Sequence, residues 1–295
     1  MERPLLSNLR VKFYTRSFSL ELYRQSARLY EADGIPCVRL TDQPADGYFF
    51  RMLADGDCDI AINVDEDAFV ANLDAVLDLA EYVVAHGYAN AGCADVSPAC
   101  PRSGNPIVTN PFFNVFDLRL IRTLWRGEET VREIARFNYA THKEELLSRW
   151  KQADYLDHTP SSVTPEALDA IYVEPYYNFF FWLALHFDTL YLRGVRHADG
   201  FSTVLYGPGG KVLCMHSWMS RFYRQRPSET RRIDALIDEV CAARGLRRLS
   251  FTAAERRGFL RDKILRFLIR IPQRIARWPH KWMIWYKKFK LNLRP

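Results

Sequence analysis

Residues 58–73, CDIAINVDEDAFVANL, pass directly from an apolar run into three consecutive acids, Asp65, Glu66 and Asp67, and then into a second apolar repeat. A segment apolar at nearly every position predicts a strand with helices over both faces of its sheet, which sets an α/β architecture at the outset. The flanking chain agrees. VKFYT (11–15) is β-rich, SLELYRQSARLYEADG (19–34) has helical spacing and ends at Gly34, and PCVRLTD (36–42) reads as a second strand. A short helical piece around Phe49–Leu53 precedes the third strand. After the acids, Phe69, Val70, Leu73, Val76, Leu77, Ala80, Val83 and Val84 recur at intervals of three and four, predicting an amphipathic helix capped by Asp65 or Asp67.

Further along, 87–117 is rich in Gly, Pro, Ser and Asn and reads as a long functional loop. Residues 119–152 read as helical, and 165–187 as a helix broken near Pro175. YLRGV and 202–218 restore the strand pattern around a GPGG turn, and a helix is expected over 228–244. With 295 residues, 48% of them hydrophobic, the chain can bury a large core. None of the six cysteines forms a CxxC pair, which points to a reducing compartment and no zinc site. The first residues lack the apolar core of a secretion signal, and the longest uncharged apolar stretch, FFFWLAL at 179–185, is too short to span a bilayer.

The net charge of +6 is unevenly placed: residues 255–295 carry thirteen Lys or Arg against Glu255 and Asp262 alone, which leaves residues 1–254 net acidic. In that tail Leu260, Ile264, Phe267, Leu268, Ile271 and Ile275 share a helical face, and Trp278, Trp282 and Trp285 follow, with Pro272 and Pro279 as breaks. Basic residues and tryptophan along an apolar face describe a helix lying on an anionic membrane surface. No nucleic-acid recognition module accompanies it. The expected organisation is therefore a domain over 1–254 and a membrane-associating tail over 255–295, with the protein held peripherally at the cytoplasmic face of the inner membrane.

The acidic turn has two readings. Acids at a helix start cap free N–H groups and suit the positive end of the dipole. Two carboxylates one residue apart also suit a divalent cation, and in α/β sheets ligands bind beyond the carboxyl ends of strands. The haloacid dehalogenase pattern, which begins in the same way, requires Thr or Val where Phe69 stands.

With VDEDAFV closing a strand after two β-α units and LCMHSW late in the chain, residues 10–225 resemble the nucleotide-sugar glycosyltransferases of GT-A fold, of the kind that build bacterial surface glycans such as lipopolysaccharide. The resemblance implies an α/β, Rossmann-like mixed sheet flanked by helices, here with a basic amphipathic C-terminal helical tail. It implies Mn²⁺ or Mg²⁺ held by Asp65 and Asp67, with Glu66 as the variable middle position and His216 as a late ligand. A nucleotide-sugar donor would lie against Thr15, Arg16 and Asp65, with Asp42 at the second strand end and Arg51 nearer the diphosphate. Glu174, an acid at a helix start, is either favoured there by the dipole or serves as the base for an acceptor hydroxyl, with Asp188 and Asp199 as weaker candidates. In NPIVTNPFFNVF, Asn110, Phe112, Phe113 and Asn114 combine amides and rings as sugar sites do, or else form a core strand. The acceptor would be a glycan or lipid-linked glycan. Two alternatives stand beside this reading. One is a nucleotidyl- or phosphotransferase, against which the missing glycine-rich phosphate loop counts. The other is a non-catalytic peripheral membrane protein whose acids only cap a helix.

Overall fold

The structure, a computed structural model, describes residues 3–31, 34–41, 47–95, 104–158, 174–269 and 271. Its centre is a mixed sheet of seven strands. β1 (Val11–Arg16) lies parallel between β2 (Cys37–Leu40) and β3 (Ile60–Val64). Beyond β3 the sheet continues through β6 (Thr109–Asp117), which runs antiparallel to both β3 and β5 (Asn90–Ala94). It ends with β8 (Thr189–Leu192) and the short β7 (Asp154–Tyr155), parallel to β5. A second, antiparallel sheet has β4 (Ala68–Val70) at its edge, followed by β11 (Val212–His216), β10 (Thr203–Tyr206) and β9 (Gly194–Arg196).

The nearly continuous apolar pattern of β3 is explained by two cores. Ile60, Ile62 and Val64 enter one, with α1 (Leu20–Ala27), α3 (Leu73–His86) and α8 (Pro227–Ala243); Ala61 enters the other, with α2 (Gly47–Leu53) and α7 (Tyr177–His186). Helices α4 (Leu118–Ile121), α5 (Glu128–Ala135) and α6 (Tyr139–Gln152) cover the second face further.

Two expectations fail in instructive ways. The helix after the acids does not begin at them: Phe69 and Val70 belong to β4, opposite Met215 and Cys214, and α3 is capped by Asn72, whose side chain accepts Ala75 N–H at 3.0 Å. Neither Asp65 nor Asp67 is its cap. The expected loop over 87–117 holds β5 and β6, because the small residues of β5 and the Pro and Asn residues of β6 are buried strand positions; residues 96–103 lie outside the described residues. The helix of 19–34 is also shorter than expected, ending at Ala27. The five described cysteines are free.

The terminal helix α9 (Ala253–Ile269) starts just before the expected tail boundary and is docked on α1. The tail's two acids both pair with body arginines, Glu255 with Arg24 at 2.8 Å and Asp262 with Arg39 at 3.4 Å. Gln25 and Leu249 exchange hydrogen bonds at 2.9 and 3.0 Å just ahead of it. Ile275, Trp278, Trp282 and Trp285 lie outside the described residues. Among the described residues no helix is long and apolar enough to cross a membrane.

Candidate functional site

The acidic turn lies where the chain leaves the large sheet for the small one. β3 ends with Asp65 N–H bonded to Phe112 O at 2.9 Å, and Ala68 N–H closes the turn on Asp65 O at 3.0 Å. β11 then arrives antiparallel, placing His216 opposite Ala68, and Ser217 N–H bonds Asp67 O at 2.9 Å. This register brings His216 Nε2 to 3.5 Å from Asp67 Oδ1. On the other side β1 ends beside β3, and Arg16 reaches Asp65 Oδ2 at 3.6 Å, its guanidinium over the rings of Phe18 and Tyr48. Asp65, Asp67 and His216 are thus brought together by the ends of β3, β4 and β11, with Arg16 beside them.

All three acids are buried, at 8%, 3% and 6% exposure, as is His216 at 5%. Burial pushes the Asp65 carboxyl up to about 7; Arg16 pulls it down and Asp67 adds to the rise. Asp67 feels the same burial, but His216 and nearby hydrogen bonds outweigh it, so its carboxyl ends below the ordinary value. Glu66 is more than a spacer. Its Oε2 accepts from Ser17 Oγ at 2.8 Å, Phe18 N at 2.8 Å and Ser19 N at 2.7 Å, tying the turn to the start of α1, where Ser19 is the cap. Burial nevertheless raises its carboxyl to about 7 against the pull of those donors.

Four buried polar atoms at this corner have no protein partner: Arg16 Nε, Asp65 Oδ1, His216 Nδ1 and Ser217 Oγ. Such atoms cost stability unless something binds them. Among the described residues no group of three or more His, Cys, Asp or Glu forms a ready-made metal cage. The donor set nonetheless fits an ion such as Mg²⁺, which is bound through one or two carboxylates and completes its shell with waters and substrate phosphates. Asp65 and Asp67 would hold it, with His216 at the edge of the shell.

The remaining candidates lie on other elements. Thr15 Oγ1 shares a hydrogen bond with Tyr30 Oη at 2.6 Å in the core, a structural position. Asp42 lies outside the described residues, and Arg51 is exposed on α2. Glu174 is half-buried just ahead of α7, where its carbonyl takes Tyr177 N–H at 3.0 Å; its place before the helix start is compatible with the dipole reading. Asp188 pairs with Arg149 at the surface, and Asp199 holds its own loop by accepting Ser202 O–H at 2.6 Å and Phe201 N–H at 2.9 Å.

In β6, Phe112 stacks on His216 with ring centroids 4.3 Å apart, supporting the site from beneath. Phe113 and Asn114 are fully buried, Phe113 in the core and Asn114 donating to Thr109 Oγ1 at 2.8 Å and Asn90 Oδ1 at 3.2 Å. They belong to the sheet interior and present no surface to an acceptor. Asn110 donates to Asp95, which also accepts from Tyr177 Oη. Asp95 has only a weak sequence signal, a lone acid following the small-residue strand NAGCA, at a carboxyl end of the same sheet.

No known protein family matches this chain, and no curated protein is similar to it in sequence. Among solved structures, part of the fold is similar to A197 from STIV, with 14% identity and a TM-score of 0.31 over 40% of this chain and 70% of that one. The functional reading therefore rests on the residues of the site.

Proposed function

We propose that this chain is a metal-dependent glycosyltransferase of GT-A type, moving a sugar from a nucleoside diphosphate donor to a glycan or lipid-linked acceptor at the cytoplasmic face of the inner membrane. The observation that carries the proposal is the corner at the carboxyl end of β3, where two buried carboxylates, an imidazole and a guanidinium converge with unsatisfied atoms. Asp65 and Asp67 do not cap α3, whose cap is Asn72, while Glu66 serves the start of α1.

In this reading Asp65 and Asp67 hold Mn²⁺ or Mg²⁺, His216 fixes the orientation of Asp67, and Arg16 faces the donor diphosphate. When bound, the cation supplies neutralisation of the charge that builds on the departing diphosphate. The acceptor oxygen forms its bond to the anomeric carbon as the bond to the diphosphate oxygen breaks. Glu174 would take the hydroxyl proton in an inverting reaction. The basic tail would hold the enzyme beside its acceptor.

Thermal-shift titration with nucleoside diphosphates and nucleotide sugars, with and without Mn²⁺, tests the proposal because specific binding raises the melting temperature by mass action. Stabilisation that requires both nucleotide and cation, and that disappears in Asp67→Asn, is expected. Stabilisation by no nucleotide, or by nucleotide irrespective of cation, would overturn it. Product analysis separates the rival chemistry: glycosyl transfer releases a nucleoside diphosphate, nucleotidyl transfer releases pyrophosphate.

A further inference from the structure

A cleft of about 870 Å³ opens between α9, the start of α1 and residues 220–225. Its wall is apolar yet open to solvent: Leu260, Ile264 and Phe267 on α9 are each more than half exposed and face Phe18 across the cleft. Exposed apolar residues on a helix already anchored by two ion pairs need an occupant to cover them.

The charges around the cleft are of two kinds. Arg224 and Arg266 are committed to Glu21 and Asp262, each at 2.7 Å. Arg221, Arg256 and Lys263 also line the cleft, and none of the three has a carboxylate partner among the described residues. Arg256 donates to Phe251 O and Arg221 lies over the Phe222 ring, but an apolar trough beside three cations without a carboxylate partner complements a molecule with an aliphatic chain and a phosphate. The inner end of the cleft is formed by Glu66 and Ser220. Glu66 belongs to the acidic turn, so the inner end of the trough adjoins the proposed donor site. Beyond α9 the chain continues into a stretch rich in Arg, Lys and Trp, the composition of a membrane interface, which favours a lipid over a peptide as occupant.

We propose that this cleft binds the lipid-phosphate part of a lipid-linked acceptor, its chain along Phe18, Leu260, Ile264 and Phe267 and its phosphate on Arg221, Arg256 and Lys263. The inference rests on the glycosyltransferase reading for its function, though not for its binding chemistry. It makes the first half of the tail a wall of the acceptor site.

Calorimetric titration of the full chain with decyl phosphate below its micelle concentration tests this, with inorganic phosphate and decyl glucoside as partial ligands. Saturable one-to-one binding of decyl phosphate is expected, with each partial ligand weaker by roughly tenfold or more. Ile264→Glu and Lys263→Glu, both at exposed positions, should each weaken binding by a similar factor with unchanged melting temperature, while Lys287→Glu/Lys288→Glu in the distal tail should leave it intact. Absence of saturable binding, equal binding of decyl glucoside, or loss in the distal pair instead of the cleft variants would overturn the assignment. Nucleotide titration with Mn²⁺ is run on the same samples. If nucleotide binds and decyl phosphate does not, the cleft proposal alone falls; if decyl phosphate binds and nucleotide does not, the donor reading alone falls.

Discussion

The two ends of β3 carry three acids each, and the structure treats them in opposite ways. At the amino end, Asp55 accepts from Tyr14 Oη at 2.6 Å and Lys12 Nζ at 3.1 Å, Asp57 lies 3.2 Å from Lys12, and Asp59 is gripped by Arg10 at 2.7 Å. These acids are near the surface and matched by cations. Those hydrogen bonds from Arg10, the largest influence, hold Asp59 down at about 2. At the carboxyl end, Asp65, Glu66 and Asp67 are buried; Asp65 is pushed up to about 7 and one of its oxygens has no partner. One triad fastens the edge of the fold. The other is held by the fold in a state that charge alone disfavours, and such a state persists where a ligand completes it.

Substitutions at the two ends should therefore differ in kind. The largest effect is expected at Asp67: Asp67→Asn should reduce transfer by about a thousandfold or more, since an amide is a weak neutral ligand, with the circular dichroism spectrum unchanged. Wild-type turnover at limiting Mn²⁺ would remove the metal from this end of β3. Next is Glu174, which belongs to neither triad. Glu174→Gln should lower kcat by about a hundredfold with donor affinity retained, and a change within a few-fold would take it out of the mechanism.

The third prediction concerns stability alone. Asp65 titrates higher in the folded protein than in the unfolded chain, so ionisation penalises the native state fully above about pH 7 and not at all below about pH 4. Asp65→Asn should then stabilise the metal-free protein at pH 8 by on the order of 2 kcal/mol, with the gain vanishing by pH 4. A destabilised variant at pH 8 would show that the two ends are equally structural. The smallest effect belongs to Asp59, whose lowered value gives stability present above about pH 4 and lost as pH falls towards 2. Because its partner is a surface arginine, Asp59→Asn should lower Tm at pH 7 by only about 2 °C, a difference that closes on acidification.

Much of this was readable in the chain. The β-α-β opening and the position of the acids follow from apolar spacing, since β3 is buried on both faces and its one polar residue, Asn63, is fully buried and donates to Pro111 O. Helical spacing places the start of α3 too early because Phe69 and Val70 extend it by accident; what makes them a strand is β11, a partner remote in sequence. For the same reason the pairing of Asp67 with His216 follows from no local pattern, only from resemblance. β5 and β6 were hidden by Gly, Ala, Pro and Asn, residues that mark loops in local propensity but here fill tight interior positions. No local pattern marks the matched acids Asp55, Asp57 and Asp59, since their cations lie just before β1, at Arg10, and within it, at Lys12.

The pairing of β4 with β11 also has a kinetic consequence. The strand carrying one half of the corner emerges early in synthesis, and the strand carrying the other emerges only after most of the chain. Closing so long a loop is entropically slow, and its contacts are rewarded only late in folding. A nascent or truncated chain that ends before Val212 can build much of the large sheet and still lack a complete corner. Under the proposed function, cation binding should therefore report completion of the fold.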